Sequence, residues 1–242
     1  MSSPSHPAES AAPKSSRHGP LPSLLLVLTV VTGLVDAVSY LKLGHVFVAN
    51  MTGNVVFLGF AAAGATDFSA VASLVAIVAF MGGALVAGRL ASPLGHHRGR
   101  FLAAAATVQV ALVAVALGVS IAAPDAASGA TSYALIAPLA LAMGLQNATA
   151  RRLGVPDLTT TVLTLTLTGL AADSSLGGGS NPNIGRRLAA TGAMCLGAGV
   201  GAALLFHSGV GSVLAASIAL LMLVAASGYR AWSSTEAWTI AG

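Results

Sequence analysis

The chain has 242 residues, of which 55% are hydrophobic and only 7% charged, with a net charge of +4. A soluble domain carries about 25% charged residues to coat its exterior, so these proportions exclude one; continuous Ala-, Leu- and Gly-rich runs also exclude the alternating strands of an outer-membrane barrel. The basic balance is no nucleic-acid signature, because the charges sit at the ends of apolar runs without interleaved aromatics, where orientation signals belong.

Residues 1–19 are rich in Ser, Pro and Ala, with Lys14, Arg17 and His18 just before the first apolar run. They read as a disordered cytoplasmic tail. The run that follows is too long for the apolar region of a signal peptide. Apolar spans are expected at about 21–41, 69–91, 101–123, 131–150, 186–206 and 209–229, each near the roughly 20 residues that cross ~30 Å of hydrocarbon. Two further segments, about 46–64 and 157–172, are shorter or more polar. Residues 173–182 contain Gly177-Gly178-Gly179 and read as a flexible loop, lacking the Lys and Ser/Thr of a phosphate-binding loop. Residues 20–123 and 131–230 form a first and a second membrane repeat, and 231–242 a C-terminal tail. The one cysteine, Cys195, excludes an internal disulfide and reads as a buried small residue in an apolar run.

The evidence for repeats is a polar pattern that occurs twice. Gly33-Leu34-Val35-Asp36-Ala37 and Asn50-Met51-Thr52-Gly53-Asn54 correspond to Gly144-Leu145-Gln146-Asn147-Ala148 and the Thr159 to Thr168 run. Gly33 and Gly144 lie 111 residues apart and Thr52 and Thr164 lie 112 apart, so the copies keep register. Gly83 with Ala87, and Gly197 with Gly201, give the small-xxx-small spacing of close helix contact.

Charge decides how the polar segments lie. If all eight segments cross, Arg89, Arg98, Arg100, Arg151 and Arg152 fall outside; if both polar segments enter and leave on one side, every loop arginine is cytoplasmic and only Lys42 is misplaced. The expected fold is therefore an all-α polytopic membrane bundle of two inverted repeats. It has six full spans and two interrupted or re-entrant segments, with both termini cytoplasmic.

Within this frame Asp36 is the acidic residue deep in a strong apolar run, and its repeat partner is Asn147 beside Gln146. An ionisable group there must face protein or water, so it is either a proton or cation site or a hydrogen-bonding partner for a neighbouring helix. Asn50, Thr52 and Asn54 surround Gly53 and either satisfy the free backbone of a broken helix or line a small aqueous site. Thr161, Thr164 and Thr168 share one helical face in the second copy, with back-bonding to their own helix as the alternative. Pro156 and Asp157 read as the opening and charged cap of a helix, and Arg151 and Arg152 as orientation determinants. His96 and His97 fall in an exposed basic loop. No nucleophile–base pair or metal-ligand spacing is present in the chain, so neither catalysis, a metal nor a cofactor is expected.

These blocks, with Val48-Ala49 and Pro156-Asp157-Leu158-Thr159-Thr160, resemble the YoaK-type family of bacterial multi-spanning membrane proteins, a domain of unknown function, over about residues 20–230. The resemblance implies a multi-pass protein of the bacterial plasma membrane. The resemblance implies a Thr-Gly-Thr block where this chain has Thr164-Leu165-Thr166. The expected function is a small secondary transporter or channel-like permease for a small polar solute or a proton-coupled substrate. Its site would lie at the repeat interface, lined by Asp36, Asn50, Thr52, Asn54, Gln146, Asn147, Thr161 and Thr164. The alternative is a non-transporting scaffold or accessory subunit whose polar motifs only join helices. The partners expected are the lipid bilayer, a small polar solute or proton and, as an option, further copies of the chain, with no nucleic acid.

Overall fold

A computed structural model describes residues 18–123, 130–158, 163–180 and 183–240. The helices are α1 (Leu21–Lys42), α2 (Met51–Ala62), α3 (Ala70–Leu94), α4 (Arg98–Ala122), α5 (Ala130–Leu153), α6 (Leu163–Ala172), α7 (Ile184–Ser208) and α8 (Val210–Arg230). Among the described residues, α1, α3, α4, α7 and α8 are long and apolar enough to span a bilayer. With 24 residues α5 is as long, but Gln146, Asn147, Arg151 and Arg152 dilute its apolar character. By contrast α2 and α6 have 12 and 10 residues, about 18 and 15 Å at 1.5 Å per residue. Neither crosses ~30 Å of hydrocarbon.

Three helix pairings dominate: α1 on α7, α3 on α5, and α4 on α8. Exchanging α1–α4 for α5–α8 turns the first pairing into the second and maps the third onto itself. The same relation holds at individual glycines. A Cβ at Gly197 would strike the Val30 carbonyl, and one at Gly83 would strike that of Leu141, 111 residues beyond Val30. Gly33 lies against the backbone of Met194, and Gly144 against that of Phe80, which is 114 residues before Met194. Backbones approach this closely only where no side chain intervenes.

The α4–α8 pair sets the orientation of the two-fold. Gly228, near the end of α8, meets Ala103 near the start of α4, while Gly211 at the start of α8 meets Leu117 near the end of α4. The two helices are antiparallel and are also repeat mates. The relating axis therefore runs perpendicular to the helices, and the repeats are inverted.

Both short segments return to the face they leave. In the first repeat Tyr40, near the end of α1, stacks on Phe47 with ring centroids 4.9 Å apart, and Phe57 of α2 stacks on Phe68, just before α3, at 4.7 Å. In the second, Arg187 in the first turn of α7 bonds Asp157, which follows α5, and Asp173, which follows α6. Six long helices and two re-entrant segments result, as charge placement predicts. Every arginine among the described residues lies toward one end of the bundle, at the start of α4 or α7 or the end of α3, α5 or α8.

Three local expectations change. Cys195 is exposed on the outside of α7, because the buried stripe of that helix is Ala190, Gly197, Gly201 and Leu205. His97 is not a free loop residue: its Nδ1 accepts from the Arg100 N–H to cap α4, and its Nε2 lies 3.0 Å from the Ser234 carbonyl. The chain after α8 thereby folds back across the bundle, burying Trp238 against Gly19. Pro156 and Asp157 themselves lie in a turn rather than in the first turn of a helix. Asp157 takes a left-handed turn conformation (φ 62°) and serves as an ion-pair partner instead.

Candidate functional site

Two cavities enter the bundle from opposite ends, at positions exchanged by the two-fold. One of about 240 Å³ is lined by Gly33, Asp36, Ala37, Tyr40, Phe47, Asn50 and Met194, among others. The other, about 620 Å³, opens toward the arginine-rich end and is lined by Gly144, Asn147, Ala148, Arg151, Asp157, Thr166 and Phe80, among others. Gly33, Asp36, Ala37 and Tyr40 have Gly144, Asn147, Ala148 and Arg151 as their repeat mates, each 111 residues on. Met194 corresponds to Phe80, 114 residues before it. The duplicated sequence pattern thus marks two half-sites.

The smaller cavity ends at a carboxylate tied to the re-entrant arm. Asp36 Oδ1 accepts hydrogen bonds from the Val48 N–H at 3.1 Å and the Ala49 N–H at 2.9 Å. Asp36 lies six residues before the end of α1, so the arm dips about 9 Å below that end at 1.5 Å per residue. Asp36 Oδ2 is buried with no hydrogen-bond partner among the described residues, and the residue is only 5% exposed. The backbone of its own repeat, rather than a neighbouring helix, holds Oδ1.

The other proposed residues divide between cavity and scaffold. Asn50 lines the smaller cavity and Asn147 the larger. The Asn147 amide also donates to the Met143 carbonyl at 3.0 Å. Asn54 is fully buried: its Oδ1 accepts from the Phe47 N–H at 2.9 Å and its Nδ2 donates to the Phe47 carbonyl at 2.6 Å. It satisfies the backbone of the arm and faces neither cavity. Gln146 reaches from α5 to α1, its Nε2 donating to Thr32 Oγ1 at 2.8 Å and to the Leu28 carbonyl at 3.1 Å. Thr52 and Thr164 are both exposed, and the Thr164 carbonyl accepts a back-bond from Thr168 Oγ1. Thr161 lies outside the described residues. The eight residues expected at one central site are therefore not brought into one cavity.

Repeat register survives this division while the inward face changes. Asn54 and Thr166, 112 residues apart, are the buried mates, whereas Thr52 and Thr164 turn outward together. The Gly53-to-Leu165 difference also has a physical basis. A Cβ at Gly53 would meet the Phe47 ring at 2.7 Å, while Leu165 stands 70% exposed at the mouth of the larger cavity. Tyr40, Phe47, Arg151 and Thr166 line the cavities without having been selected from sequence. Tyr40 and Arg151 follow Asp36 and Asn147 by one helical turn, a spacing that would have found them.

The Gln146 assignment is checked by Gln146→Leu. Interhelical hydrogen bonds inside membranes average about 0.6 kcal/mol and reach about 1.7, so a loss of roughly 1 kcal/mol in detergent unfolding is expected, with both cavities intact. A larger loss accompanied by changed reactivity of cavity residues would contradict a packing role.

Residues 24–227 match a family described as a protein of unknown function, DUF1275. The UPF0700 transmembrane protein YoaK of Bacillus subtilis is 35% identical over 153 residues, covering 63% of this chain and 67% of that protein. No solved structure matches the chain. With the family match spanning both repeats, both half-cavities and all six long helices, this multi-pass membrane protein belongs to the DUF1275 family.

Proposed function

We propose that the protein is a small secondary transporter for a small polar solute, working in the bacterial plasma membrane with its arginine-rich end and both termini in the cytoplasm. The observation that carries this is the pair of cavities related by the inverted repeat and entering from opposite ends. Inverted repeats with interrupted segments suit alternating access, because exchanging the conformations of the two halves exchanges the open side. The cavities differ in size, about 620 against 240 Å³, as two halves caught in unlike conformations would. In this reading the solute meets Asn147, Thr166 and Arg151 from the cytoplasm, and Asn50, Tyr40 and Asp36 from outside.

The orientation rests on the positive-inside tendency. The solute class rests on linings of amide, hydroxyl and ring groups with few charges. The test is counterflow of labelled amino acids, polyols and small amines into proteoliposomes, after a thermal-shift screen selects those that bind. Asn50→Ala and Asn147→Ala variants that still fold should each cut uptake at least about tenfold, the equivalent of one or two lost hydrogen bonds. Undiminished uptake in both removes the half-cavities as the site. Asn54 and Gln146 act purely as packing groups, which favours a scaffold as the second reading. A scaffold would lose stability or partner co-purification in these variants with no flux to lose.

A further inference from the structure

The two half-sites match in the repeat positions that line them but not in charge. Position 36 carries a carboxyl group where its mate, Asn147, carries an amide. Asp36 Oδ1 takes the Val48 and Ala49 N–H groups of the arm, and Oδ2 is buried with no partner among the described residues. A charged carboxylate half satisfied in this way, inside apolar surroundings, bears a large desolvation cost. Adding a proton removes the charge.

The groups around it leave that role to Asp36 alone. Tyr40 is one turn away on the same helix, and His45 contacts the far side of the Tyr40 ring at 5.2 Å. Across the cavity α7 presents Met194 and Ala198, while its titratable groups, Arg186, Arg187, Cys195 and His207, are at its ends or on its outer side. On α8 the titratable groups are Tyr229 and Arg230 at the far end, and on α5 they are Tyr133, Arg151 and Arg152 toward the ends. From the arm come Phe47 and Asn50, and α2 carries no titratable group. Lys42 is exposed at the end of α1. Among the described residues, no cation is placed to hold Asp36 ionised.

We infer that Asp36 is a proton-binding site whose occupancy controls the re-entrant arm at residues 43–50. On protonation an O–H bond forms at the carboxyl from a proton delivered by cavity water, and the negative charge disappears. The hydrogen bonds from Val48 and Ala49 then lose their charge assistance, roughly half their strength, and the arm loosens. Release of the proton to the same cavity restores the charge and draws the arm back. Asn147 cannot titrate, so the proton site at position 36 has no counterpart at its mate position in the other half-site. As a coupling device this rests on the transporter reading; the proton site itself does not.

The experiment reads site and transport separately. Infrared difference spectra of the reconstituted protein, taken between about pH 4 and 9, should show a carboxylic acid C=O band that titrates and is absent in Asp36→Asn. Hydrogen exchange at the Val48 and Ala49 amides, corrected for intrinsic pH dependence, should run about tenfold faster in the protonated state of the wild type. In Asp36→Asn, exchange should stay at the fast level at every pH. A wild-type protein without a titrating band, or with arm exchange that ignores pH, overturns the inference without any variant having to fold. A titrating band and a pH-dependent arm without solute flux uphold the proton site and overturn only the transporter reading.

Discussion

Gly83→Leu and Gly197→Leu each prevent assembly of the bundle, whereas Gly82→Leu and Gly199→Leu leave stability within about 0.5 kcal/mol of wild type. The four positions share residue type and apolar setting, so a composition argument would treat them alike. The difference is what a side chain would meet. At Gly83 a Cβ runs into the Leu141 carbonyl, and at Gly197 into that of Val30, while Gly82 and Gly199 face open space. Overpacking a core usually costs about 1–3 kcal/mol when side chains can move aside. Here the obstacle is backbone, so α3 must part from α5, or α7 from α1, and the cost exceeds ~3 kcal/mol. Gel filtration and thermal melts in mild detergent decide the matter. A monodisperse, wild-type-like Gly83→Leu protein would contradict the close backbone contact on which the inverted pairing rests.

Arg187→Ala should release the second re-entrant segment while the six long helices stay assembled. The guanidinium Nε lies 3.0 Å from Asp157 Oδ1 and Nη1 lies 2.7 Å from Asp173 Oδ2. It also packs over Gly169, where a Cβ would meet it at 2.7 Å. One side chain thus fastens both ends of the segment to the first turn of α7. Asp173 is 45% exposed while Arg187 and Asp157 are 12% and 18% exposed, so solvent screening reduces the Asp173 contact most. Losing the clamp is expected to loosen the segment locally, with most of the effect from the less exposed Asp157 contact. The readout is proteolysis at residues 174–180, accelerated roughly tenfold or more, with only a modest shift in the global melting temperature. Arg187→Lys should restore part of the effect, since an ammonium keeps the charge but not the two-pronged geometry. Equal resistance of Arg187→Ala and wild type to protease would show that the apolar contacts suffice.

These two results probe what could and could not be read from the chain. The helix count and the re-entrant segments were legible because bilayer thickness converts run length directly into topology, and because arginine placement is an orientation signal carried by individual residues. The repeat register was legible from Gly33 and Gly144. The choice of Thr52 and Thr164 as inward residues failed for a definite reason. In an apolar segment the lipid side and the protein side are equally hydrophobic, so no periodic contrast tells which face of α2 or α6 turns inward. Asn54 is buried because the preceding arm, fastened to Asp36, fixes the rotation of α2. The structural role of Asp157 was hidden similarly, since its partners Asn183 and Arg187 lie 26 and 30 residues away.

By itself, then, the sequence determined a six-span bundle with two re-entrant segments, arranged as two repeats in register and marked by a paired Gly, Asp/Asn and Thr/Asn pattern. Only the tertiary structure decided that the pattern builds two half-cavities at opposite ends, that Asn54 and Gln146 hold the scaffold, and that Asp36 is bound to its own re-entrant arm. Run length and charge are properties of the chain, whereas the direction a polar side chain faces in an apolar helix is set by the backbone packed against it.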